Sequence, residues 1–153
     1  MADHTYSVSL TWTGNQGTGT SGLRDFTRDS ECSSENHPPI PLSTDPGFLG
    51  DGSRYNPEEL LAAALSNCHM LSFLFLCTQS KIIVTGYEDA ATVIRTADPG
   101  QLGSLTSAAL KPKVTLGDES QRANADALHT KAHKMCLIAQ ALSIPVLLEP
   151  QSP

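Results

Sequence analysis

The feature that most limits how this chain can fold is the segment Leu60–Ser80, LLAAALSNCHMLSFLFLCTQS, which holds no Asp, Glu, Lys or Arg. Asn56 ahead of it is a good helix N-cap and Pro57 suits the first helical position. Glu58 and Glu59 place negative charge at the positive end of the helix dipole. A helix so uniformly apolar needs cover on most of its circumference. Its length would reach across a bilayer. Ser66, Asn67, His69, Ser72, Thr78 and Gln79 make it too polar for that, and the chain has no second such segment, so a central core helix is expected and no membrane partner.

The flanking segments read as β-structure. Tyr6, Val8, Leu10 and Trp12 alternate with Thr5, Ser7, Ser9 and Thr11, the pattern of a half-buried strand. Gly14–Gly22, GNQGTGTSG, is too glycine-rich for regular structure and reads as a hairpin tip. It lacks the lysine of a phosphate loop. Leu23–Cys32 is expected to pair back as a second strand. Glu35–Tyr55 then runs long and irregular with four prolines, a loop of the kind that often belongs to a site.

Lys81–Ala97 and Gln101–Leu116 look like strands turning at Asp98-Pro99-Gly100. Asp118 is expected to cap a second helix running to about Ala141, with Ala125, Leu128, Ala132, Met135/Cys136 and Ala139 on its apolar stripe. Ser143–Pro150, SIPVLLEP, closes as a short strand. The order ββαββαβ lacks the regular alternation of a parallel sheet, so the expected class is α+β with antiparallel sheet, one domain over residues 1–153.

Net charge of −6 argues against nucleic acid as a partner. The opening MADHTYSVSLTWTG has no basic segment followed by an apolar run, so no signal peptide is read and the cytoplasm is expected. Cysteines stay reduced there unless oxidation is their chemistry. Four occur, Cys32, Cys68, Cys77 and Cys136, with no CxxC spacing. Leu61, Ala64, Leu65, Cys68, Leu71 and Phe75 follow helical spacing, which puts Cys68 on an apolar stripe as Cys136 is on its own.

Three uses of these thiols stand side by side. Both can be small core hydrophobes, the commonest fate of buried cysteine. If the two stripes pack together, one thiol can attack an oxidant and the other resolve the sulfenic acid to a disulfide. The attacking sulfur must then be a thiolate, which an apolar surrounding opposes, so an arginine held by a carboxylate is needed nearby. Alternatively His129, His133 and Cys136, at i, i+4 and i+7, could hold zinc with Cys68 and His69.

Arg54–Leu74, RYNPEELLAAALSNCHMLSFL, resembles the signature of the OsmC/Ohr family of thiol-dependent peroxidases: an Asn-Pro-Glu-Glu-Leu opening, small residues, then a cysteine on the central helix. AHKMCLIAQAL (Ala132–Leu142) supplies a second cysteine about where that family carries its resolving one, and the order of segments agrees from LTWTG onward. The resemblance implies an intertwined homodimer with sites at the interface. It implies Cys68 as peroxidatic cysteine, Cys136 as resolving cysteine and Glu58 as the carboxylate that fixes the arginine. Arg24, Arg28 and Arg54 compete for that arginine. Arg28, in FTRDSE, is preferred because it looks like the strand-borne Tyr-Ser-Arg-Asp-His segment of the branch whose helix reads Ser-x-Cys-His-Met; Arg54 is the runner-up. Residue 137 is Leu where many members have proline, and residue 69 is His where many have an aromatic.

Glu58 lies ten residues before Cys68, about 15 Å of helical rise and roughly 80° off the same face. A helical Glu58 therefore cannot reach the site of its own Cys68; it could reach that of a partner chain whose central helix packs antiparallel, as the resemblance implies. The implied activity is reduction of organic hydroperoxides, hydrogen peroxide less well, without a bound cofactor, with a dithiol such as a dihydrolipoyl protein as reductant. A non-catalytic redox or ligand-binding member of the family, and a zinc-binding structural protein, are the alternatives. Cys77, nine residues beyond Cys68 and about 180° round the helix, cannot bridge to it and reads as core. Cys32 reads as an exposed thiol.

Overall fold

The computed structural model describes residues 2–99 and 101–152. The chain divides into two compact units, one ending at Leu60 and the other beginning at Leu61.

The first unit is a three-stranded antiparallel sheet. Strand β1 (Ser9–Trp12) pairs with β2 (Ser30–Ser33), which pairs with β3 (Ile40–Leu42), so Cys32 stands between Leu10 and Ile40. The β1–β2 connection is the expected glycine-rich excursion, closed at its base by Thr27 N–H donating to Gly14 O at 2.9 Å. Gly14 is required there, because a Cβ would lie 2.0 Å from the Thr27 carbonyl oxygen. Trp12 donates its indole N–H to the same carbonyl at 3.0 Å and meets Phe26 edge to face. The half-burial expected of the β1 stripe is not found: Tyr6, Val8 and Leu10 are 92, 69 and 67% exposed. None of the buried hydrophobic residues among those described belongs to this unit. The loop after β2 is less irregular than expected, since it contains β3 and a 3-10 turn at Pro46–Phe48 capped by Asp45.

Helix α1 (Pro57–Gln79) begins as the sequence predicts. Asn56 Oδ1 accepts from Glu59 N–H at 2.8 Å, and Glu59 Oε2 accepts from Asn56 N–H at 2.9 Å, a reciprocal capping box.

In the second unit the two expected strands each bend into two. Strands β4 (Val84–Asp89) and β5 (Thr92–Thr96) are followed by β6 (Ser104–Leu110) and β7 (Pro112–Leu116). β4 pairs with β7 and β5 with β6, both antiparallel, as one long hairpin would. The bend falls at Asp89, whose carboxylate accepts from Lys111 N–H at 2.7 Å and from Ser66 Oγ at 2.6 Å. Pro112, lacking an N–H, suits the first position of a strand. The expected hairpin turn includes Gly100, which lies outside the described residues.

The second helix also differs from expectation. Asp118 caps a 3-10 turn at Glu119–Gln121; α2 then runs Arg122–Met135, Cys136 is extended, and α3 covers Leu137–Ala141. Strand β8 (Val146–Leu148) joins the β5-β6 sheet beside β6 in parallel, the one pair that departs from the antiparallel pattern. The α+β class with antiparallel sheets and few helices stands.

Two apolar clusters form the core of this unit. One gathers Phe73, Cys77, Ile82, Val114, Leu116, Ala125, Leu128 and Ala132; the other gathers Leu65, Ala108, Leu110 and Cys136. Cys77 is core, as expected. The buried stripe of α1 is Leu65, His69, Phe73 and Cys77, whereas Leu71 and Phe75, assigned to the stripe by spacing, are 56 and 54% exposed. A helix apolar nearly all round has no periodicity to tell its two greasy faces apart. α1 is long and apolar enough to cross a membrane, and 22% of its most apolar window is buried.

Candidate active site

Cys136 is positioned by a break in the chain. Its N–H still completes α2 by donating to Ala132 O at 2.9 Å, but its ψ of 104° ends the helix. The sulfur then caps α3, accepting from Ala139 N–H at 3.4 Å. The thiol is fully buried, donates to Leu65 O at 3.9 Å and lies within hydrogen-bonding reach of Cys68. Placement on a continuous helical stripe was the expectation; an extended residue between two helices is what aims this sulfur at α1.

Cys68 is half-buried and packs against the Leu65/Cys136 cluster. Both thiols are reduced. The structure thus brings together the two cysteines that the sequence paired. Burial first, and the hydrogen bond with Cys68 second, push the Cys136 thiol up to about 11. Cys136 therefore keeps its proton at neutral pH.

The remaining predicted residues lie in the first unit. Arg28 donates from Nη1 to Phe26 O at 2.9 Å, and its guanidinium stands 4.3 Å above the Phe26 ring, with no carboxylate paired to it among the described residues. Arg54 sits between two carboxylates, Nε to Asp51 at 3.4 Å and to Asp29 at 3.8 Å. Glu58 stands on the first turn of α1 without an ion pair among the described residues. Arg24 is exposed, and Cys32 is half-buried in β2, not the exposed thiol expected.

Beside the thiols lies a group that sequence spacing linked only to zinc. His69 and His129 are buried, their rings stacked at 5.4 Å and joined by a 3.1 Å hydrogen bond between His69 Nε2 and His129 Nδ1. Phe73 stacks on His129 at 4.0 Å. The His133 ring stands 6.3 Å from that of His69, and neither His133 Nδ1 nor His69 Nδ1 has a hydrogen-bond partner among the described residues. Among the described residues no group of three His, Cys, Asp or Glu side chains is arranged to hold a metal ion. Nothing in the sequence singled out His69 as core-facing, because α1 is apolar on both faces.

A family model for OsmC-like proteins matches residues 50–149. The chain belongs to the OsmC-like family. An OsmC-like protein of unknown function from Vibrio cholerae superposes with a TM-score of 0.84 at 27% identity, over 99% of this chain and 100% of that one. An organic hydroperoxide resistance protein from Elizabethkingia anophelis, with thiocyanate bound, does so at 0.70 and 20% identity, over 99% and 100%. The organic hydroperoxide resistance protein OsmC from Legionella pneumophila gives 0.67 at 20% identity, over 98% of each chain. These last two share the OsmC-like fold with this chain. No curated protein sequence matches it.

The histidine pair gives this OsmC-like chain a defined acid response. Burial, then His129 and His133, lower His69 to about 4; burial, then Arg122, lowers His129 to about 4. Below the ordinary value of 6.5 the unfolded chain takes up protons that the folded one refuses. Stability should therefore be full above pH 6.5 and fall as pH drops toward about 4, by up to about 3 kcal/mol for each histidine. Urea midpoints across that window check this, and a flat midpoint would contradict it.

Proposed function

We propose that this OsmC-family protein is a thiol-dependent peroxidase of organic hydroperoxides, with hydrogen peroxide a poorer substrate. The observation that carries the reading is the pairing of a half-exposed Cys68 with a buried, proton-holding Cys136. A thiol held up to about 11 is a poor first nucleophile, so the attack falls to Cys68. The Cys68 thiolate bonds to the distal oxygen of the hydroperoxide, the O–O bond breaks, and the alkoxide leaves with a proton from water as the alcohol. Cys136 sulfur then attacks the Cys68 sulfenic acid; its proton joins the departing hydroxyl as water, and the disulfide forms. An external dithiol, such as a dihydrolipoyl protein, reduces that disulfide by exchange and is itself oxidised.

Arg28 supplies the positive charge for the Cys68 thiolate in this reading. What supports it over Arg54 is charge balance, since Asp29 and Asp51 already flank Arg54. Glu58 holds that arginine across a homodimer. The exposed Leu71 and Phe75 on α1 and the uncovered Tyr6, Val8 and Leu10 of a unit with no buried hydrophobic residues support a second copy as their cover. The apolar surroundings would favour alkyl or aryl hydroperoxides.

Cys68→Ser should abolish consumption of cumene hydroperoxide. Cys136→Ser should consume a single equivalent and accumulate a Cys68 sulfenic acid, detected by mass spectrometry. Multiple turnover by Cys136→Ser, or no Cys68–Cys136 disulfide in the oxidised parent, would sink the mechanism.

Arg28→Ala should slow Cys68 oxidation about tenfold or more, equivalent to about 1.4 kcal/mol, and Arg54→Ala should do less. The reverse order in stopped-flow traces would transfer the role to Arg54.

Sedimentation in detergent-free buffer should show twice the chain mass of 16.3 kDa. A monomer would remove the role of Glu58, and a protein recovered only with lipid would point to a membrane as the cover of α1.

A further inference from the structure

A fully buried imidazole is an expensive way to fill a helix stripe. His69 leaves Nδ1 without a hydrogen-bond partner among the described residues, a desolvation cost that an apolar side chain would avoid. What the imidazole adds is direction. Its Nε2 meets His129 Nδ1 at 3.1 Å, and this requires one rotation and one height of α2 against α1. The near-parallel imidazole planes and the stacking of Phe73 on His129 restrict the same two coordinates.

Those coordinates decide what happens at the thiols. His69 directly follows Cys68 on α1, and His129 lies seven residues, about two helical turns, before Cys136 at the end of α2. Cys136 stands where α2 ends, its N–H bonded to Ala132 O, so the placement of α2 carries it. A disulfide closes only when the two Cα atoms come within about 4.4–6.8 Å with suitable Cβ directions. We infer that the buried His69–His129 pair is a positioning element that sets Cys136 against Cys68 and so governs the rate of disulfide closure. The chemistry it serves is the thiol pair proposed above. The charged and titratable groups around the pair are His133 and Arg122 from α2 and Asp89 and Tyr87 from β4. None of them is within the direct His69–His129 bond.

The test separates closure from peroxide chemistry by using diamide, which takes two electrons and two protons from a pair of thiols and becomes the hydrazine. Closure of Cys68–Cys136 is followed by mass spectrometry after quenching, and Cys68 oxidation by cumene hydroperoxide is followed separately. His129→Phe keeps a ring against Phe73 but cannot bond His69. It should slow closure on the order of tenfold or more, while the first oxidation keeps its parental rate. His129→Asn, whose amide reaches the Nδ1 position, should restore most of the closure rate. A merely space-filling histidine would give the opposite order, because Phe fills the site better than Asn. His69→Phe and His69→Gln form the reciprocal comparison if circular dichroism shows His129→Phe unfolded. Should neither phenylalanine variant fold, His129→Gln, which carries its amide beyond the Nδ1 position, takes their place. Closure as fast in the bond-less variants as in the parent, or no rescue by Asn, overturns the inference. If diamide shows the expected order but the hydroperoxide leaves Cys68 untouched, the positioning role stands and the peroxidase reading falls.

Discussion

The second unit depends on one stripe of α1, Leu65, His69, Phe73 and Cys77, being held out of water. Its upper end packs with Ala108, Leu110 and Cys136, and its lower end with Ile82, Val114, Leu116 and the buried face of α2. Full burial of side chains the size of Leu65 and Phe73 is worth roughly 1.5–3 kcal/mol each, and nothing else in the unit gathers both sheets and both helices at once. Between the two apolar ends sits the His69–His129 bond. The helix is thus clamped by apolar packing at each end and given its angular setting by a polar contact in the middle.

Thiol chemistry is a consequence of that arrangement. Cys68 lies one position from the buried stripe, which leaves it half-buried with one side turned toward the surface. Cys136 belongs to the apolar cluster itself, where burial holds the proton on its sulfur. Two cysteines of the same intrinsic chemistry are given different surroundings by where each stands relative to one stripe. The break at Cys136 adds a directed lone pair and thiol that a helical residue could not offer, since the sulfur takes the place of an N-cap oxygen.

The same helix that organises this unit presents a second apolar face, with Leu71 and Phe75 exposed. The first unit shows apolar side chains of β1 on its surface and, among the described residues, no buried hydrophobic one. A sheet of three short strands with no core is not stable alone. Both observations describe surface that water would disfavour, and they are the support for the second copy proposed above.

By itself the sequence determined the capping box at Asn56–Glu59, the place and length of α1, the glycine hairpin after β1, the α+β class and the two cysteines worth pairing. These rest on local chemistry: a cap, a proline, a charge-free run and a motif are complete within a few residues. Tertiary structure decided which face of α1 is buried, because a helix apolar all round carries no periodicity to announce it. It decided that the long hairpin bends at Asp89, whose partners Ser66 and Lys111 are more than twenty residues away. It broke the second helix at Cys136, where good helix formers on either side gave no sign of a stop. It also turned His69 and His129, sixty residues apart, into a hydrogen-bonded pair. Such contacts depend on the relative placement of whole elements, and no local pattern encodes that.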